Sequence, residues 1–482
     1  MSNEQAVRVR FAPSPTGELH LGSARTALYA YLLARHSGGT MILRIEDTDL
    51  QRFVPGSMDR FLADLQWLGI EIDEGPYIQS QRANRHREIA LELVANGAAY
   101  YEFDSKAGGG APTDDEYRSG RAAYRSPERD ADQVAAKVRA DAGEPFVIRL
   151  KIPKTGSVVI KDAVRGRIEF DLETVDDAVL LKSDGMGTYH LAATVDDHDM
   201  EISHVLRAEE WLPSTPKHVL LFQAMGWTVP QYVHLSFILA NDGKKLSKRM
   251  HGDAVWISSY RKRGYLSEAL TNYLALLGWN PGGDKELLSR LELIEAFSLE
   301  RLHKAGAKFD EDKLRAFQSY YVRSFSDEEL IRRINEFVRT SGAVVANQEH
   351  FNRAISVLKD RITTFDEVWT LTQPFQPDYE LTYDAHLLIF RKSNHKQTIS
   401  GLAAASEQLS RVDDATWQSE ELLSQVLDRV VATNVLENGD VFWPVRVALT
   451  GLERSPAPAE CLWVLGKDES LRRMKRALEM LE

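Results

Sequence analysis

Residues 10 to 25 read R-F-A-P-S-P-T-G-E-L-H-L-G-S-A-R, two prolines, two glycines and one histidine between a strand-like and a helix-like pattern. A loop that joins a strand to a helix can turn the helix's free N–H groups, and the positive end of its dipole, toward a phosphate. His20 can donate to a phosphate oxygen, and Gly22 lets a flat base or ribose approach the backbone closely. Alone, His20-Leu21-Gly22 reads as a tight turn with a surface histidine. A second segment changes that reading. Lys244-Lys245-Leu246-Ser247-Lys248-Arg249 follows an apolar strand and an Asp242-Gly243 turn, where the chain can return to the same sheet edge. Ammonium groups aimed at a triphosphate stabilise the charge that develops when the α-phosphorus is attacked and pyrophosphate leaves. As an isolated run it would be a solvated surface patch; with the first loop it points to a nucleotide site.

The elements that must hold these loops are visible in the same text. Residues 7 to 11 alternate as a strand, Leu21, Ala24, Leu28 and Leu32 keep helical spacing up to Gly38-Gly39, and Met41 to Ile45 form a second strand ending in Glu46-Asp47-Thr48-Asp49. Strand, helix and strand at this spacing predict a βαβ unit in a parallel sheet, with the ligand at the strands' carboxyl ends, where residues 13 to 22 would lie. Asp104 to Gln133 is nearly free of large apolar residues and is expected to be a mobile surface segment inside an inserted domain. Strand patterns resume at Phe146 to Ile152 and Val158 to Phe170, Tyr189 to Leu206 leads into a helix around Pro216 to Met225, and Val233 to Ala240 is another strand. Beyond Ser326 the pattern is helical, as in Asp327 to Val338, Phe351 to Thr370 and Glu420 to Ala432. An α/β body followed by an all-helical end is expected.

Composition bounds the rest. The 482 residues include 43% apolar and 27% charged side chains, an ordinary globular balance that can bury large cores. The N-terminus lacks an apolar signal core and no membrane span is legible, so a soluble, cytoplasmic protein is expected. A single cysteine, Cys461, excludes an intramolecular disulfide and any site built from several thiolates. The net charge of −12 speaks at first against a nucleic-acid partner. Yet Lys244, Lys245, Lys248, Arg249, Arg261, Lys262 and Arg263 cluster closely, and local cations rather than the total decide salt-dependent binding.

The wording of these segments resembles the class I aminoacyl-tRNA synthetases, and within them the bacterial glutamyl-tRNA synthetase family. His20-Leu21-Gly22-Ser23 stands where that class has its HIGH signature, and Lys245-Leu246-Ser247-Lys248-Arg249 where it has KMSKS. R-F-A-P-S-P-T-G, R-I-E-D-T-D, Y-H-L-A, V-D-D-H, R-A-E-E-W and S-T-P-K-H are similar to the family's own text, and the likeness continues to V-R-V-A-L-T-G and L-G-K-D-E-S-L-R-R near the end. The resemblance implies ATP-dependent ligation of L-glutamate to tRNA(Glu) through a glutamyl-adenylate. It implies a Rossmann-type α/β catalytic domain (1–84 and 189–240) and an inserted α/β domain holding the tRNA acceptor end (85–188). A signature loop and stem-contact region (241–325) and an all-α anticodon-binding domain (326–482) would follow.

For a substrate with two carboxylates and an ammonium, a selective pocket needs two cationic forks and one acid. Arg10, Arg207 and Glu46 supply those charges, and Ser14 and Tyr189 add hydroxyls; by the resemblance these five hold glutamate. It likewise assigns ATP, carried with Mg2+, to Pro13, Thr16, Gly17, His20, Gly22, Ser247 and Lys248, with His20, Gly22, Lys245 and Lys248 as the catalytic set. It further implies a monomer, and activation of glutamate only once tRNA is bound. Two departures stand out. Ala193 replaces the family's usual Asn, and Ala99-Tyr100-Tyr101-Glu102-Phe103 carries none of the cysteines with which many relatives hold zinc, so no structural zinc is expected. Asp196-Asp197-His198-Asp199, placed on a strand, would send neighbours to opposite faces, and a structural or substrate-orienting role is expected over a metal site. Alternatives are a glutaminyl-tRNA synthetase, the short paralogue that modifies a tRNA base, and a non-enzymatic tRNA-binding derivative. The helical end argues against the short paralogue and the intact ATP signatures against the binding derivative. Whether tRNA(Gln) is also charged stays open.

Overall fold

The structure, a computed structural model, describes residues 6–49, 54–103, 123–247, 252–376 and 379–482. They fall into two compact units, Met1–Arg261 with Ser267–Leu314, and Lys262–Leu266 with Arg315–Glu482.

In the first unit, β1 (Arg8–Phe11), α1 (Leu21–His36) and β2 (Thr40–Ile45) make the expected βαβ unit, with Arg8 opposite Thr40 and Phe11 opposite Leu43 in parallel register. α2 (Ser57–Leu68), β3 (Glu74–Ile78) and α3 (Ala83–Ala95) extend it. The chain then leaves through β4 (Ala99–Glu102), α4 (Gln133–Asp141), β5 (Val147–Leu150), β6 (Ser157–Asp162), β7 (Gly166–Asp171) and β8 (Val179–Leu181). It returns through α5 (Tyr189–Asp199), β9 (His204–Ala208), α6 (Thr215–Ala224) and β10 (Gln231–Leu235). The parallel sheet has the order β10-β9-β1-β2-β3, while β4, β5 and β8 form a separate antiparallel sheet. From β1 the chain builds first toward β3 and later, beginning at β9, in the opposite direction. The gap between the loops after β1 and β9 is therefore the topological switch point where such sheets bind ligands. One apolar core runs from Leu93 of α3 through Ile148 and Leu180 of the inserted sheet to Leu191 and Val195 of α5.

Three expectations are corrected here. Asp196 to Asp199 lie on α5, not on a strand: Leu191, Ala192 and Val195 are buried along one continuous helix, and Asp196 and Asp197 are buried with them because arginines pair with both. Val158 to Phe170 is a hairpin, not one strand: Asp162 Oδ1 accepts the N–H groups of Val164 (2.9 Å) and Arg165 (2.7 Å), closing a turn. Phe351 to Thr370 is two helices, Gln348–Leu358 and Glu367–Thr372, since the Glu367 carboxylate accepts the Thr363 and Thr364 N–H groups at 3.1 and 3.2 Å and starts a new helix there.

The segment read as mobile is also altered. Residues 104–122 lie outside the described residues. Within 123–133, Arg125 donates to the Ile152 and Leu172 carbonyls at 2.9 Å each, and buried Arg129 pairs with Asp177. One buried and one half-buried guanidinium supply the anchoring that large apolar residues would otherwise provide.

The second unit is helical, with Asp327–Ser341, His395–Arg411, Glu420–Thr433 and Asn438–Thr450 preceding a last segment, Pro458–Leu481, broken at Gly466. Among the described residues no helix is long and apolar enough to cross a membrane.

Candidate active site

A cavity of about 600 Å³ opens at the switch point. Its wall includes Arg10, Pro13 and Ser14 from the end of β1, His20 and Gly22 at the start of α1, and Glu46 after β2. Tyr189, Arg207, Lys245 and Ser247 complete the set of predicted residues brought together. Thr16 and Gly17 do not line it; Thr16 is exposed on the outside of the loop, and Gly17 turns the chain at φ +139°. Lys248 lies outside the described residues. Ala193 is buried on α5 away from the wall.

At one end stands His20, the N-cap of α1. Its Nδ1 accepts the Gly22 N–H at 3.0 Å, so the ring proton of the neutral form sits on Nε2 as a donor. Burial, reinforced by the Lys245 ammonium, holds its pKa down to about 4, so the ring stays neutral at ordinary pH. Its edge meets Trp256 at 5.8 Å between ring centroids. Lys245 is paired with Glu210 and lies 4.4 Å from the Phe237 ring centroid. That cation comes from the D-G turn, where Gly243 takes φ +79° and Asp242 Oδ1 accepts the Lys244 N–H at 2.9 Å. Buried Arg25 donates to the carbonyls of Leu277 (2.7 Å) and Ser236, pinning α1 to the chain that follows β10.

Behind the wall residues Arg10, Glu46 and Gln79 lies a lattice of buried charge. Asp197 accepts from Arg10 Nε at 3.0 Å and Arg44 Nη1 at 2.7 Å, while Arg44 Nη2 donates to Glu46 at 2.9 Å. One turn position away, Asp196 takes Gln79, Arg82 and His86 at 2.9, 2.7 and 2.8 Å. Burial pushes the Glu46 carboxyl up, opposed by Arg44 and Arg10. Asp197 is raised by burial but held below the usual carboxylate range by Arg10 and Arg44. These acids of α5 thus serve arginines, and among the described residues no three His, Cys, Asp or Glu side chains converge to hold a metal ion.

Arg207, on β9 and only 6% exposed, is held differently. Nε donates to His234 Nε2 at 3.1 Å. Nη1 donates to the Tyr189 hydroxyl at 3.2 Å and His218 Nδ1 at 3.1 Å. Nη2 donates to Thr215 Oγ1 at 2.8 Å and the Trp211 carbonyl at 3.4 Å. None of these five acceptors is a carboxylate. A buried cation held only by neutral groups is an open demand for an anion.

Residues 6–316 match the family described as tRNA synthetases class I (E and Q), catalytic domain, and residues 329–478 the family described as anticodon binding domain. The chain belongs to the class I tRNA synthetases. Among its relatives, the glutamate–tRNA ligase of Amoebophilus asiaticus is 41% identical over 99% of both chains, and that of Dehalococcoides mccartyi 40% over all of this chain and 98% of the relative. A crystal structure of a glutamate tRNA ligase from Elizabethkingia meningosepticum in complex with its amino acid superposes with a TM-score of 0.87 at 35% identity, covering 99% of this chain and all of that one.

Reading the synthetase's sequence missed the cradle of Arg207. Thr215 and His218 stand in S-T-P-K-H, and His234 is a polar residue flanked by Val233 and Leu235 in an apolar strand, a signal for a buried partner. Glu210, three residues after Arg207, pairs with Lys245.

Proposed function

We infer that the chain is a glutamate–tRNA ligase that activates L-glutamate with ATP and transfers it to tRNA(Glu). The single observation that carries the amino-acid assignment is Arg207, a buried guanidinium on the cavity wall whose five acceptors are all neutral. A substrate side chain ending in a carboxylate cancels that charge, whereas an amide leaves it buried and uncompensated. Glu46, the acid on the same wall, is suited to the substrate ammonium, and Arg10 to a carboxylate.

No protein nucleophile is needed. The glutamate α-carboxylate attacks the α-phosphorus of ATP, which arrives with Mg2+ as its counter-ion, and pyrophosphate leaves. The 3′-terminal adenosine hydroxyl of tRNA then takes the glutamyl group and AMP departs. The chain contributes position and charge. His20 Nε2–H is a neutral donor for a phosphate oxygen, free of the competition for Nδ1 that the Gly22 N–H already satisfies. Lys245 is available to phosphate once it exchanges the Glu210 carboxylate for it. Pro13 and Gly22 shape the wall toward the nucleotide, and Ser14, Tyr189 and Ser247 offer hydroxyls. The 85–188 insertion is assigned to the acceptor end of tRNA and 326–482 to the anticodon, with the chain acting as a monomer in the cytoplasm.

The deciding experiment is aminoacylation of purified tRNA(Glu) and tRNA(Gln), each with glutamate and with glutamine. Glutamate on tRNA(Glu) is the expected product; preference for glutamine overturns the reading, and glutamate on tRNA(Gln) widens the set of tRNA partners. In parallel, ATP–pyrophosphate exchange is expected only when tRNA is added, and exchange with glutamate alone removes that coupling.

A further inference from the structure

The way Arg207 is held invites a question that its place on the wall does not answer. A guanidinium could be fixed far more firmly by carboxylates, as Arg44 is by Asp197 and Glu46. Around Arg207 every acceptor is neutral, and the protonation of two of them follows from their other partners. His234 Nδ1 lies 2.6 Å from Asp162 Oδ2 and donates to it, which leaves Nε2 as a lone pair for Arg207. His218 Nδ1 accepts from Arg207, so its proton is on Nε2, 3.1 Å from His190 Nδ1. Thr215 Oγ1 is a third neutral acceptor.

We propose that His218, Thr215 and His234 are specificity-determining positioning residues: they fix the Arg207 guanidinium without cancelling its charge, and so reserve that charge for the substrate's side-chain carboxylate. The proposal rests on the glutamate reading above. A carboxylate at any of the three cradle positions would make the pocket end neutral, and a substrate amide would then be accepted nearly as well as an acid.

The surroundings keep the cradle uncharged. Burial and the adjacent Arg207 cation, with His190, Lys217 and Arg10 also facing it, hold His218 well below its ordinary pKa. His234 is lowered by burial, against the pull of Asp162. From α5, Tyr189 faces Arg207; from β10, the Tyr232 ring lies 5.0 Å from its guanidinium carbon. The Lys217 ammonium is itself paired with Asp176 at 2.7 Å. The carboxylate nearest to the cradle, Asp162, stands behind the His234 ring rather than against the guanidinium.

The test compares two nearly isosteric substitutions that differ in charge, His218→Asp and His218→Asn, in the full-length protein. Aminoacylation of tRNA(Glu) is followed with glutamate and with glutamine, and kcat and KM are separated. His218→Asp is expected to lower the glutamate-over-glutamine ratio of kcat/KM by roughly a hundredfold, mainly through the KM for glutamate. His218→Asn, which keeps a neutral acceptor near the Nδ1 position, is expected to hold the ratio within about threefold of the original. An unchanged ratio in His218→Asp, or an equal collapse in both variants, overturns the proposal. Should His218→Asp not fold, as judged by its thermal transition, Thr215→Asp against Thr215→Asn puts the same charge on the Nη2 side and is judged by the same outcomes. If the unaltered chain itself prefers glutamine, the glutamate reading fails; if it prefers glutamate while the Asp variants select as before, only the cradle proposal fails.

Discussion

Arg44 and Arg207 are both buried arginines beside the same cavity, yet their surroundings are opposite in kind. Arg44 is fully buried among Asp197, Glu46 and, at 3.9 Å, Asp196, so its charge is spent within the protein. Arg207 has two histidines, a threonine, a tyrosine and a carbonyl. The contrast teaches that a buried cation's partners say more about its role than its burial does. Carboxylates turn it into scaffold, because removing either partner strands a charge; neutral acceptors leave a net charge that only a ligand can satisfy.

The sharpest way to break this comparison is Arg207→Gln. It is expected to lower kcat/KM for glutamate by about a thousandfold, since truncating one member of a buried, hydrogen-bonded charge pair costs several kcal/mol of binding. The urea unfolding midpoint should stay close to its original value. A large loss of stability instead would show that Arg207, too, is scaffold. Asp197→Asn should behave in the opposite sense: it leaves Arg10 and Arg44 sharing one fewer carboxylate and is expected to destabilise the fold by about 3 kcal/mol, read as a shift of that midpoint at unchanged slope. Stability intact with only glutamate binding lost would move Asp197 from scaffold to site.

At the nucleotide end, Lys248→Ala tests charge that acts on the reaction rather than on binding. It should reduce the first-order rate of adenylate formation by about thirtyfold, with glutamate affinity nearly unchanged; an unaltered rate removes that loop from catalysis. The smallest effect is on pH. His20 and His190 have pKa values lowered to about 4 and about 3, mainly by burial. Between those values and about 6.5 the unfolded chain binds protons that the folded one does not, so stability is full above that window and declines as pH falls through it. His190→Asn should flatten this decline in the unfolding midpoint; an identical slope would show that other groups carry it.

The sign of the total charge was a poor guide to partners, for a related reason. A count of −12 averages over a sequence in which cations are grouped, and a polyanion responds to local charge rather than to the total.

Much of the architecture was legible in the text, because local rules govern it. The β1–α1–β2 unit follows from alternation, helical spacing and Gly38-Gly39 within one short stretch. The predicted site residues Arg10, His20, Glu46, Tyr189 and Arg207 do meet at one cavity, since family wording marks chemistry even where no periodicity does. Misreadings came where one signal hid another. Asp196 to Asp199 looked like a polar strand because their partners, Arg10, Arg44, Arg82 and His86, are far away in sequence and make burial of acids tolerable. Residues 123–133 look loosely held because the guanidiniums of Arg125 and Arg129, not large apolar groups, anchor them.

By itself, then, the sequence determined which residue types were present to handle phosphate and carboxylate, and the parallel unit that carries the first loop, since spacing along one chain sets both. Only the tertiary structure decided which of the buried arginines is spent and which is open. That difference depends on Asp197 of α5 reaching Arg44 of β2, and on His218 of α6 and His234 of β10 closing around Arg207 of β9. Net charge inside a fold is a sum over neighbours in space, and neighbours in space are what a linear text does not contain.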